Sequence, residues 1–157
     1  MRLTQDMQRV VREQSLGFVA TVRPDGTPAV SPKGTTSVWD DTHLVFLDLC
    51  SPHTVANLRS NPSVEVNVVD PFFRKGYRFA GRAEVLTEGP VFEAICARFA
   101  AERGTDRRRI NGAVLIDVTA AEALVSPAYD DGTTEAVIAK RWAEHHSGRY
   151  HAWLAGR

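Results

Sequence analysis

Ala29-Val30-Ser31-Pro32-Lys33-Gly34-Thr35, read with Cys50-Ser51-Pro52-His53-Thr54-Val55-Ala56-Asn57-Leu58, is the pair of segments on which the fold turns. The first begins as a strand and then breaks its own apolar run with Ser31, Pro32, Lys33, Gly34, Thr35 and Thr36. Proline removes a ladder donor and glycine removes a side chain, so such a strand is an edge, a bulge or a surface that something approaches closely. The second segment places Ser51 as N-cap and Pro52 at the first position of a helix that Asn61-Pro62 stops. Amides at a helix start lack chain partners, and the dipole there favours negative charge. Small residues, hydroxyls and one cation on both segments suit backbone lying flat against a phosphorylated ring. A plain edge strand and an ordinary capped helix suit the same residues, and spacing alone does not separate the readings.

Working outward, Leu16-Gly17-Phe18-Val19-Ala20-Thr21-Val22 reads as a buried strand, and Pro24-Asp25-Gly26-Thr27 supplies a tight reversal into Pro28–Val38 as its hairpin partner. Asp40-Asp41 makes the next turn, and Leu44, Val45, Phe46, Leu47 and Leu49 fill a third strand on both faces, so that the meander brings the two key segments side by side. Before these strands, Thr4 or Asp6 caps a short helix through Met7, Val10 and Val11. After them, residues 63–70 alternate as a strand, and 77–85 put Tyr77, Phe79, Ala83 and Val85 on one face with Arg78, Arg82 and Glu84 on the other. Gly89-Pro90 opens a helix with Val91, Phe92, Ile95 and Phe99 along one stripe, ending near Gly104. Residues 113–118 form a last buried strand. Thr133-Thr134-Glu135 begins a closing helix through Val137, Ile138 and Trp142, which Gly148 divides. Six antiparallel strands that avoid open edges close on themselves, so the expected fold is mainly β (α+β), a small barrel with peripheral helices.

Nineteen basic residues balance nineteen acidic ones among 157, so no global field draws the chain to nucleic acid or an anionic membrane. The length suits one domain over residues 1–157, with a barrel core at about 15–120 and a helical segment at about 132–155. No run approaches the ~20 apolar residues of a membrane span, and residues 1–6 lack a signal-peptide core, so the expected location is cytoplasmic. Cys50 and Cys96 read as small core residues with no disulfide and no role. Adjacent histidines such as His145-His146 diverge on a helix, and no metal site is expected.

Four stretches taken together, Leu16–Val22 with Pro24-Asp25-Gly26 and Pro28, Val30–Gly34, Ser51-Pro52 through Thr54, Asn57-Leu58 and Asn61-Pro62, and Gly76-Tyr77-Arg78 with Gly81–Glu84, resemble the pyridoxamine 5'-phosphate oxidase-like proteins across about residues 10–87. The resemblance implies a six-stranded split β-barrel, a homodimer, and FMN in a groove at the subunit interface. Val30, Ser31, Pro32, Lys33, Gly34 and Thr35 would then run along the flavin ring, with Lys33 near its polar edge. Ser51, Thr54 and Asn57 would hold the phosphate and ribityl chain, and an aromatic on the last helix, Trp142 of the partner subunit, would cover the ring. Where the oxidase proper sets arginine and lysine for the phosphate, this chain offers His53 and Thr54, and it has no match to the oxidase's carboxy-terminal substrate residues.

The implied activity is an FMN-dependent oxidoreductase passing hydride or electrons between reduced nicotinamide and a small molecule, with a non-catalytic flavin carrier or sensor as the alternative. F420 reductases of this kind present a basic groove for an acidic tail, against which the neutral charge counts. Haem-degrading members need an axial histidine, and His145, His146 and His151 lie together near the end on what reads as a solvated face.

Overall fold

The strand pattern becomes a seven-stranded antiparallel sheet in the computed structural model, which describes residues 1–156; Arg157, the last position of the expected domain, lies outside the described residues. Helix α1 (Gln5–Gln14) is capped by Thr4, whose hydroxyl accepts from the Met7 amide at 3.2 Å. The strands are β1 (Gly17–Val22), β2 (Pro28–Lys33), β3 (Ser37–Val38), β4 (His43–Asp48), β5 (Ser63–Asp70), β6 (Lys75–Leu86) and β7 (Gly112–Val125). Helix α2 (Pro52–Ser60) joins β4 to β5, α3 (Pro90–Arg103) joins β6 to β7, and α4 (Glu135–Ala155) closes the described chain.

The sheet order β2-β1-β5-β6-β7-β4-β3 explains the barrel. Its two edges, β2 and β3, are consecutive pieces of one chain separated only by Gly34-Thr35-Thr36. The sheet therefore has to curl until its ends meet, and the split falls at that link. The link is tied down locally. The Thr36 hydroxyl donates to the Lys33 carbonyl at 2.8 Å, the Leu47 amide donates to the Thr35 hydroxyl at 2.9 Å, and Arg103 reaches the Gly34 carbonyl at 3.2 Å. Gly17 makes room for it: a Cβ there would lie 2.6 Å from the Thr36 hydroxyl.

This arrangement corrects the expected meander. One strand over Pro28–Val38 is in fact two, β2 paired with β1 and β3 paired with β4, so β4 is not the neighbour of β2 but pairs along β7 from His43↔Asp117 to Asp48↔Gly112. The two-residue β3 is the seventh strand that the expected six omitted.

Two apolar clusters hold the curl. Val19, Val66, Val68, Phe79, Leu44, Phe46, Ile116 and Val118 fill the barrel, and α1 plugs one end with Met7, Val10 and Val11. On the other side of β4, Val45 and Leu47 meet Phe92, Ile95, Cys96 and Phe99 of α3. Burial on both faces is why residues 44–47 are apolar without alternation, and each such side chain contributes about 1.5–3 kcal/mol. Val91, expected on the α3 stripe, is exposed and Cys96 takes a core place instead.

Two later expectations also change. β7 runs to Val125 rather than stopping at 118, pairing its alanine-rich second half with the start of β6. Helix α4 is continuous through Gly148, buries only Ile138, and its N-cap Thr134 makes no side-chain capping bond. Among the described residues, no helix is long and apolar enough to cross a membrane.

Candidate functional site

Lys33 ends β2 with its side chain only 7% exposed. Its ammonium donates to the Ser31 hydroxyl and to the Ser51 hydroxyl, each at 2.8 Å, and lies 5.8 Å from the Phe46 ring centre. The two key segments thus meet through a lysine and two serines, brought together by barrel closure rather than by a shared ladder. No carboxylate pairs with this ammonium among the described ion pairs. The nearest influence of opposite sign is buried Asp48, whose carboxylate accepts the Ser51 amide at 2.7 Å. Burial pushes the Lys33 pKa below its usual 10.5, with the attraction of Asp48 opposing that shift.

Ser51 is the N-cap of α2 by position, with Pro52 in the first turn, yet its side chain makes no capping bond and instead accepts from Lys33. One turn on, Thr54 is 7% exposed and its hydroxyl has no hydrogen bond within the chain. Asn57 donates its amide to the Thr21 hydroxyl at 3.0 Å, both residues being buried. That bond fixes α2 against β1 and gives the site a rigid floor.

Between β2 and α2 lies an open groove of about 650 Å³, within the range of small-molecule sites. Of the expected residues, Val30, Ser31, Lys33, Ser51, Thr54 and Asn57 line it. Pro32, Gly34 and Thr35 do not. Pro32 is exposed on the same side of β2 as Val30 but lies outside the groove, the Gly34 carbonyl is taken by Arg103, and the Thr35 hydroxyl is taken by β4. Trp142 is not in the groove of its own chain. It packs half-buried beside Arg74, whose guanidinium lies 4.3 Å from the ring centre, and beside His145 and His146.

The groove also contains residues that were not singled out from sequence, among them Thr21, Arg23 and Cys50. Cys50 is exposed, which corrects its expected place in the core, whereas Cys96 is buried and desolvation raises its thiol pKa; neither forms a disulfide. Arg23 sits in the β1–β2 reversal, where the residues had been read for turn chemistry alone. No aspartate or glutamate lines the groove. Among the described residues no group of three or more His, Cys, Asp or Glu could hold a metal ion.

A groove carrying positive charge with no direct carboxylate contact, a hydroxyl free of partners in the chain and apolar walls can hold a planar anion. Comparison with known proteins gives this arrangement a context. The family model described as pyridoxamine 5'-phosphate oxidase matches residues 3–126, from before α1 to the end of β7. No curated protein matches the chain. The crystal structure of HupZ from Group A Streptococcus shares 31% identity and superimposes at a TM-score of 0.70, covering 79% of this chain and 95% of that one. A proposed pyridoxamine 5'-phosphate oxidase of Lactobacillus delbrueckii matches at 22% identity and TM-score 0.66, over 77% of this chain and 93% of that one. An FMN-binding protein of Syntrophomonas wolfei matches at 13% identity and TM-score 0.64, over 76% and 84%. The last two speak to the split-barrel fold alone.

Proposed function

This chain belongs to the pyridoxamine 5'-phosphate oxidase family, and from that premise we propose that it is an FMN-dependent oxidoreductase, acting as a homodimer and passing hydride or electrons between reduced nicotinamide and a small organic molecule. The observation that carries the reading is the Lys33 ammonium, buried in the groove on two serine hydroxyls with no carboxylate partner. A buried cation with no directly paired carboxylate, only the more distant attraction of Asp48, is costly, and an anionic ligand in the groove lowers that cost.

The residues present fit FMN. Lys33, held by Ser31 and Ser51, is a fixed donor for the ring's polar edge, and a cation there favours the negative charge of a reduced ring. Ala29 and Val30 offer an apolar wall. Thr54, whose hydroxyl has no partner in the chain, and Asn57, pinned to Thr21, would hold the ribityl chain and phosphate. When bound, FMN supplies a ring that takes up a hydride and releases its electrons to an acceptor. The groove is open on one side, with Val30 65% exposed, and in the proposed homodimer Trp142 of the partner subunit covers it.

Steady-state NADPH oxidation by FMN-loaded protein tests the activity. The expected result is a rate above that of the same concentration of free FMN. A rate equal to free FMN, with the flavin still bound, contradicts turnover and leaves a flavin-binding protein.

A further inference from the structure

Lys33 is not the groove's only cation. Arg23 lines it as well, and it makes no ion pair among the described residues. Its guanidinium is nevertheless held. One terminal nitrogen, Nη1, donates to the Thr27 hydroxyl at 3.3 Å and to the Pro28 carbonyl, while Nε and Nη2 have no partner within the chain. The acid closest in sequence, Asp25, attracts the guanidinium but does not contact it, because its hydrogen bonds go to Thr27: it accepts the Thr27 amide at 2.9 Å and the Thr27 hydroxyl at 2.6 Å. The turn therefore anchors one corner of the guanidinium and leaves the rest of its fork for an anion.

The position is as informative as the pairing. Arg23 is fixed at the Pro28 end of β2, and Lys33 stands at the other end, roughly 16 Å away at the rise of a strand. Asn57 belongs to the Arg23 end, because it bonds Thr21, which pairs with Ala29, and Ser51 belongs to the Lys33 end. The unpartnered Thr54 hydroxyl lies on α2 between them. The groove is thus elongated, with one cation sunk at one end and a second at the rim of the other, and no carboxylate between. That layout suits a ligand with a ring at one end and a phosphate at the other.

We propose that Arg23 is the phosphate-recognition residue of the groove and makes it select a phosphorylated flavin over the same flavin without phosphate. The inference rests on the flavin reading above. It also explains how a chain with His53 and Thr54 in place of a basic loop holds a phosphate monoester: the cation comes from the opposite wall, from a turn rather than from α2.

Equilibrium titration of the full-length protein with FMN and with riboflavin tests it, in the wild type and in Arg23→Gln and Arg23→Lys. The wild type is expected to bind FMN at least tenfold more tightly than riboflavin. Arg23→Gln should weaken FMN by about tenfold, the size of one or two charge-assisted hydrogen bonds, and leave riboflavin unchanged. Arg23→Lys should fall between the two, because it keeps the charge and loses the fork. Unchanged riboflavin affinity also reports that the variant is folded. An FMN-to-riboflavin ratio that Arg23→Gln leaves intact, or an equal loss for both ligands, overturns the assignment while the flavin reading stands. Absence of binding by either flavin to the wild type overturns both.

Discussion

Two of the hollows on this molecule, similar in size, differ sharply in chemistry. The groove between β2 and α2 holds about 650 Å³, and a second hollow beside α1 and the start of β6 holds about 530 Å³. In the second, each charge is answered from within the chain. Asp6 accepts from the Tyr77 hydroxyl and from Arg9, both at 2.6 Å, Lys75 pairs with Glu135 at 2.6 Å, and Asp70 takes the Gln14 amide at 2.8 Å. Its carboxylates outnumber its cations, with Asp6, Asp70 and Glu135 against Arg9 and Lys75. In the groove no carboxylate is on the lining, Lys33 and Arg23 make no ion pair, and the Thr54 hydroxyl has no partner in the chain. Volume does not locate a site; unspent hydrogen-bonding and charge do.

The largest effect expected from this contrast is on Lys33. Lys33→Ala should weaken FMN binding by roughly ten- to a hundredfold, as loss of a charged donor does, with Kd read by flavin fluorescence. Asn57→Ala comes next. It leaves the Thr21 hydroxyl buried without its donor, and the expected loss is about 2 kcal/mol of stability by urea denaturation.

A smaller effect follows from the lowered pKa of Lys33. Between that value and 10.5 the unfolded chain binds more protons at this residue than the folded chain, so stability rises with pH across the window. Over the same window FMN affinity should fall, because the ammonium that holds the ligand is being lost. Both slopes should flatten in Lys33→Met, measured as urea midpoints and Kd values from neutral pH to 10.5. The smallest effect belongs to the second hollow. Glu135→Gln removes an exposed ion pair, and FMN affinity should not move; a clear loss there would break the contrast.

Much of the groove could be read from residues alone, because its makers are local signals. The proline-glycine reversal at 24–26 places β2 beside β1, and the Ser51-Pro52 start places α2. Closure itself was expected from the residues; what they did not carry was the route by which the sheet closes. β4 finds its partner in β7, some seventy residues on, and although Gly34-Thr35-Thr36 interrupt the apolar run, nothing there announces that the chain passes to the opposite edge of the sheet.

The same limit hid the rest. Residues 119–125 are rich in alanine and carry no strand alternation, yet β6 offers them a ladder, and pairing overrides propensity. Gly148 costs a helix about 1 kcal/mol without ending it, since intrahelical bonds continue on both sides. Arg23 was hidden for a different reason. A turn's sequence is legible as backbone geometry, and the side chain that the turn aims into a groove is not.

The central claim is that the flavin lies between β2 and α2, and Cys50 reports on that place directly. It is exposed on the groove wall, whereas Cys96 is buried on the inner face of α3, so a maleimide followed by peptide mass spectrometry distinguishes them. Saturating FMN should slow labelling of Cys50 severalfold and leave Cys96 unlabelled throughout. An unchanged rate at Cys50, with FMN shown to be bound, would place the flavin elsewhere and contradict the account.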